Sequence, residues 1–221
     1  FLEEEMQEWV DTTVQRILSI KPKCVLEIGC GAGLLMTRIA PHCDFYRATD
    51  FSEAAIHYLD KLRLNLDLEE KVDLLQRPAG VFDDKEQSYY DVIIINSVVQ
   101  YFPDIAHLIQ VIEGSIACLQ PGGRLFIGDI RSLGHLEAFH RTTFLYNNHQ
   151  GVSERAITEK IKHEEELLIQ ADFFEKFAQN HPALECAITQ IRRGKHSNEL
   201  TQFRYDTVLC KKGPQPISKL Q

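Results

Sequence analysis

This sequence predicts a doubly wound α/β fold: one mostly parallel sheet of seven strands, an antiparallel hairpin at its C-terminal end and a helical insertion. Three observations predict it. Short apolar runs closed by glycine or polar turns alternate with amphipathic stretches through the first 130 or so residues, residues 133–180 read as helical throughout, and the chain closes with two strand-like runs around a polar loop. Alternating strands and helices imply right-handed βαβ crossovers, and hence a parallel sheet covered on both faces.

The elements follow in order. Met6, Trp9, Val10, Val14, Ile17 and Leu18 recur at helical spacing and Pro22 blocks continuation, so residues 6–20 form an amphipathic entry helix. Residues 24–28 are a buried strand that runs into glycines, and residues 34–40 begin the next helix. The alternation repeats as strand 45–49, helix 53–66, strand 72–76, strand 91–95, helix 105–119 and strand 124–128, with Pro121-Gly122-Gly123 as a turn before the last. In 133–180, Ser153 is an N-cap and Gly151 a break between two helices, and the segment reads as an insertion or lid and not as another βα unit. Residues 184–192 and 202–209 flank the polar loop 193–199 as a hairpin, with Asn198 and Glu199 at its tip. The reading is one domain over 1–221: entry helix 1–20, βα core 23–130, helical lid 131–181, hairpin 182–212 and tail 213–221.

Composition narrows the function classes. A net charge of −8 with 24 Lys and Arg leaves no positive field for a phosphate backbone, which argues against nucleic acid as a partner. No apolar run reaches the length of a membrane span, and the acidic opening is unlike a signal peptide, so a cytoplasmic protein is expected. The six cysteines lack C-x-x-C spacing, so no metal site is expected. The start at Phe1 without Met suggests a piece of a longer chain.

The sharpest motif is Glu27-Ile-Gly29-Cys-Gly31-Ala-Gly33, between the first strand and the first crossover helix. A ligand of such a sheet lies beyond the carboxyl ends of its strands, and glycines let the backbone approach it. A dinucleotide site asks for G-x-G-x-x-G, but the sixth position counted from Gly29 is Leu34 and from Gly31 is Met36, which disfavours NAD. S-adenosylmethionine carries an ammonium and a sulfonium and no pyrophosphate, so a carboxylate such as Glu27 beside the glycines suits it. Asp50, ending the second strand, is placed to accept the ribose hydroxyls, with Phe51 on the adenine, although an N-cap role for Asp50 stands beside that reading. Ala79 and Asn96 follow the third and fourth strands at the same edge.

Five strings carry a resemblance: 25–31 (VLEIGCG), 96–103 (NSVVQYFP), 119–123 (LQPGG), 126–132 (FIGDIRS) with 137–140 (EAFH), and 198–206 (NELTQFRYD). Together they resemble the S-adenosylmethionine-dependent methyltransferase domains embedded in modular polyketide synthases and nonribosomal peptide synthetases. The resemblance implies the class I methyltransferase-like sheet, neighbouring synthase domains, and an acyl or peptidyl carrier protein presenting substrate on a phosphopantetheine arm. The acceptor stays open between a hydroxyl and an amine.

Methyl transfer needs an aligned acceptor and, for a hydroxyl, a positioned base. His140 is the candidate base, and Glu166, then Glu165, the carboxylate to orient it, both in the helical stretch after His140; the bland alternative is a solvated acidic helix face. Asn96, Gln100 and Tyr101 are candidates for the acceptor pocket, with packing against the next helix as the alternative for Tyr101. A His–Glu pair leans the expectation towards O-methylation, with N-methylation as the alternative and a noncatalytic docking domain as the competing class.

Overall fold

A computed structural model of the chain describes residues 2–147 and 153–214. The strands are β1 (Cys24–Ile28), β2 (Phe45–Asp50), β3 (Val72–Gln76), β4 (Tyr90–Asn96), β5 (Leu119–Arg131), β6 (Leu184–Ile191) and β7 (Arg204–Lys211). They form one sheet in the order β3-β2-β1-β4-β5-β7-β6. The pairs β3/β2, β2/β1, β1/β4 and β4/β5 are parallel, and β7 runs antiparallel between β5 and β6. From β1 the chain winds outward through β2 and β3, then returns to lay β4 on the other side. The loops after β1 and β4 therefore diverge, and this reversal opens the crevice in which an α/β sheet binds ligand.

Alternate residues of each buried strand serve opposite layers. Leu26, Ile28, Ile93, Ile95, Leu125 and Ile127 pack with α4 (Ile105–Cys118) and α7 (Asp172–Asn180). Val25, Tyr46, Ala48, Val92, Ile94 and Phe126 pack beneath α1 (Glu3–Ser19), α2 (Met36–Ile39) and α3 (Glu53–Asn65). Burial on both faces explains why these runs are nearly continuous in apolar residues; each full burial of such a side chain is worth roughly 1.5–3 kcal/mol.

Two expectations are corrected. Residues 121–123 lie within β5: pairing with β4 jumps from Tyr90–Leu119 to Val92–Arg124, so the Pro-Gly-Gly run is a bulge, with Gly122 at φ +82°. Nor are residues 133–180 helical throughout. The segment holds α5 (Leu136–Asn147) and α6 (Glu154–Lys162), capped by Ser153, and then the non-helical stretch 163–171 before α7. That stretch exchanges helical hydrogen bonds for tertiary ones: Leu167 N donates to Gln100 O, Ile169 N to Arg131 O, and Leu133 N to Ile169 O. Leu167 and Ile169 both join the α4/α7 core, the two-residue period of an extended chain. The α7 helix buries Phe174 and Ala178 in that core and leads into β6, so it is the crossover of a further βα unit and not part of a lid. The Gly151 break and residues 215–221 of the tail lie outside the described residues. In the hairpin loop, Asn198 caps the short helix α8 (Glu199–Gln202) by accepting from Leu200 N. Among the described residues no helix is long and apolar enough to cross a membrane.

Candidate active site

At the reversal point the loop after β1 turns through three glycines with positive φ: Gly29 at +76°, Gly31 at +51° and Gly33 at +78°. A Cβ at Gly29 or Gly33 would lie 2.4 Å from Val98 or 2.5 Å from Leu59, so these two glycines are needed for packing as well as for conformation. At Gly31 a Cβ would meet nothing within 4 Å. That glycine faces a cleft of about 630 Å³, whose walls include Gly29, Asp50, Phe51, Ala79, Ser97 and Tyr101. Asp50 is fixed there by two backbone amides: Gly31 N donates to Oδ2 and Ser52 N to Oδ1, both at 2.9 Å. Each carboxylate oxygen retains a lone pair, enough to receive two vicinal hydroxyls. The N-cap of α3 is Ser52, which accepts from Ala55 N, so Asp50 is free of that role. Phe51 stands 76% exposed at the rim, an open aromatic face beside the cleft. Gly31, Asp50 and Phe51 thus fit the nucleoside portion of S-adenosylmethionine.

Glu27 departs from its expected role. It is buried beneath the glycine loop on the α1–α3 side of the sheet, where Tyr46 donates a 2.7 Å hydrogen bond to Oε2. Burial pushes its carboxyl up to about 8, against the Tyr46 hydrogen bond and with help from the charge of Asp50. Near neutral pH it therefore holds a proton and does not supply the standing negative charge expected for a ligand cation. Asn96 also lies off the cleft wall, buried behind Ser97 at the end of β4.

A second group of polar residues gathers where β4 and β5 end and β7 begins. His140, on α5, is buried, with Nε2 3.4 Å from Glu164 Oε2 in a contact that lacks hydrogen-bond alignment. The expected partners lie elsewhere. Glu166 is bound by Arg131 Nη1 at 2.8 Å, and Glu165 is exposed. An extended chain sends neighbouring side chains to opposite sides, so Glu164 and Glu166 share one side and Glu165 leaves it. Arg131 also holds Glu164 at 2.9 and 3.1 Å and lies 5.0 Å over the Phe139 ring. Burial raises the carboxyl of Glu164, but the Arg131 hydrogen bonds outweigh it and keep the group below its ordinary range. Burial is also the main force on His140, lowering its basicity with the charges of Arg131 and Lys160 and against that of Glu164. Gln100 is buried, while Tyr101 is 73% exposed on the cleft.

Sequence reasoning missed Ser97, Asp129 and Arg204. Asp129 Oδ2 accepts from Ser97 Oγ at 2.7 Å and from Arg204 Nη1 at 2.8 Å. The signal was available: Asp129 and Arg131 are charges inside an otherwise apolar strand. Among the described residues, the buried side-chain polar atoms without a partner are Asn96 Oδ1, Gln100 Oε1, His140 Nε2 and Arg204 Nε. Their residues all sit at this sheet edge, where unpaired buried groups mark a place for a ligand.

Residues 26–125 match the family model of a methyltransferase domain. The chain is 44% identical over 209 residues to chondramide synthase of Chondromyces crocatus, an alignment covering 93% of this chain and 5% of that protein. It is 31% identical over 214 residues to enniatin synthase of Fusarium equiseti, covering 93% of this chain and 7% of that one. The chain therefore spans a small fraction of the length of the curated relatives it matches. In fold it is similar to the N-methyltransferase NodS from Bradyrhizobium japonicum in complex with S-adenosylhomocysteine, at 16% identity and a TM-score of 0.56, over 91% of this chain and 86% of that one. With the sheet order, the glycine loop and these matches in agreement, the chain is a methyltransferase domain, similar to short segments of far longer synthases and nonribosomal peptide synthetases.

Proposed function

We propose that this domain uses S-adenosylmethionine to methylate the amine nitrogen of an aminoacyl or peptidyl group held on the phosphopantetheine arm of a carrier protein. The observation that carries this reading is that Asn96 Oδ1, Gln100 Oε1 and His140 Nε2, buried without a hydrogen-bond partner, lie at the end of β4 or in the segments after β4 and β5, on the same sheet edge as the cleft of Asp50 and the glycine loop. When bound, S-adenosylmethionine supplies the methyl group and keeps the C–S bonding pair on sulfur. Asp50 holds the ribose, the cleft walls orient the molecule, and the acceptor nitrogen lies between the cleft and His140. The nitrogen lone pair forms the new N–C bond, and the proton it sheds passes to His140 and on to solvent.

The state of His140 favours nitrogen over oxygen. The lean towards a hydroxyl rested on a carboxylate devoted to the histidine, but Glu166 is spent on Arg131 and Glu164 shares its charge with the same guanidinium. A histidine of lowered basicity is a poor match for an aliphatic hydroxyl. It is adequate for an α-ammonium, whose pKa is about 7.7–8.0. The relatives include synthetases of peptides, whose building blocks carry an amine, while the solved structures of similar fold include both N- and O-methyltransferases.

The test offers carrier-bound aminoacyl and β-hydroxyacyl substrates side by side and maps the added mass by fragmentation. The expected product is N-methylated, and turnover of the free amino acid at equal concentration is much slower, because the tether supplies effective concentration. Methylation on oxygen alone would overturn the assignment.

A further inference from the structure

Strands β4 and β5 end side by side, with Asn96 paired to Gly128. One residue later each strand turns through left-handed backbone without a glycine: Ser97 has φ +57° and Asp129 φ +62°. Such a conformation is strained for a residue with a Cβ and persists where surrounding contacts hold it. Here the contact is between the two strained residues, since Ser97 Oγ lies 2.7 Å from Asp129 Oδ2. Arg204 donates to that same oxygen and Trp9 Nε1 to its twin at 3.2 Å, so Asp129 acts as a carboxylate that only accepts.

This fixes a direction along the chain of bonds. The single hydroxyl proton of Ser97 goes to Asp129, so Ser97 Oγ is left to accept from Asn96, 3.2 Å away. Asn96 must then turn Nδ2 towards Ser97 and Oδ1 away from it. That oxygen is buried and without a partner. Its space is kept by Gly128, where a Cβ would lie 2.3 Å from Oδ1. Ser97 lines the cofactor cleft, whereas Asn96 is buried behind it, paired with Gly128 of β5.

We propose that Asn96 Oδ1 receives an N–H of the acceptor amine, and that Ser97 and Asp129 are positioning residues that hold the Asn96 amide in the orientation this requires. The inference rests on the amine reading above and adds a basis for selecting amines over alcohols. An alcohol that donated its only proton to Oδ1 would have none for His140 to remove. A primary amine gives one N–H to Asn96, loses the other after transfer, and keeps its lone pair for the methyl group.

Ser97→Gly tests this, because glycine relieves the left-handed backbone while removing the hydroxyl, so the fold keeps or gains stability and the relay is lost. Calorimetry with aminoacyl-pantetheine in the presence of S-adenosylhomocysteine, where no turnover occurs, should show binding weakened roughly tenfold, the value of one hydrogen bond. Affinity for S-adenosylhomocysteine alone should fall by clearly less than affinity for aminoacyl-pantetheine. Asn96→Ala is a second probe: it removes the unpartnered oxygen itself, with a loss at least as large. Unchanged aminoacyl-pantetheine affinity in folded Ser97→Gly protein, or an equal loss of S-adenosylhomocysteine affinity, would overturn the relay while N-methylation by the wild type still stood. Wild-type methylation of oxygen alone would overturn both.

Discussion

The two ends of the carboxyl edge of this sheet are built differently. At the cofactor end, Gly29, Gly31, Gly33 and Asp50 lie on two adjacent loops, after β1 and β2, tied together by amide bonds to the Asp50 carboxylate, and Ala79, Ser97 and Tyr101 complete the wall. At the acceptor end, His140, Glu164, Arg131, Ser97, Asp129 and Arg204 come from five separate stretches and meet through tertiary ion pairs and a hydrogen bond. A site whose polar contacts come from two adjacent loops tolerates change elsewhere and fails at those residues. A site assembled from many elements spreads its dependence, and its partners are set by the path of the backbone more than by spacing in sequence.

The largest effect that tests this contrast is expected from Asp50→Ala. It removes the acceptor of both ribose hydroxyls and frees two loop amides, and charge-assisted bonds of about 1.5–3 kcal/mol each imply a fall in S-adenosylhomocysteine affinity of roughly 100-fold or more. A titration with folded variant showing unchanged affinity would mean that the cleft does not depend on its own loop.

How much was readable in the sequence divides along the same line. Strand β1 and strand β3 have the predicted bounds, and the glycine loop and Asp50 stand where expected, because buried parallel strands and tight turns leave strong local marks. Residues 163–171 misled, because the acidic run and the Leu-Leu-Ile that follows fit a helical pattern as well as an extended one. The choice was made by hydrogen bonds to Arg131 and Gln100, far away in sequence. Glu164 became the neighbour of His140 through that choice. Glu27 was found by position, but its protonation follows from burial beneath α1–α3, which no local motif reports.

A smaller set of effects ranks the carboxylates at the acceptor end. His140→Ala is expected to slow single-turnover methylation by about 100-fold, the lower range for a positioned base, with cofactor affinity retained. Glu164→Gln removes the charge that opposes burial at His140, so the acid limb of the pH–rate profile moves to lower pH, with a loss of about tenfold or less at neutral pH. Glu166→Gln loosens only Arg131 and should do less, and Glu165→Gln, at an exposed site, should do nothing measurable. A larger loss from Glu166→Gln than from Glu164→Gln would restore the dyad that spacing alone suggested.

The subtlest effect concerns stability at the cofactor end and needs no substrate. Glu27 has a folded pKa of about 8 against 4.5 for the free carboxyl, so between these values the native state keeps a proton that the unfolded chain has released. Stability from this group is therefore fully present below about 4.5 and is lost as pH rises towards and through about 8, the opposite of a salt-bridged carboxylate. Glu27→Gln keeps a neutral acceptor for Tyr46 and cannot ionise, so its stability should be flat where the wild type declines. Urea unfolding of both proteins from about pH 5 to pH 9 reads this directly, with the variant gaining on the wild type at the alkaline end. Equal slopes would mean that Glu27 is ionised in the folded protein after all. The carboxylate beneath the glycines would then be the standing charge that the motif implied, and the cofactor end would be local in its electrostatics as well as in its shape.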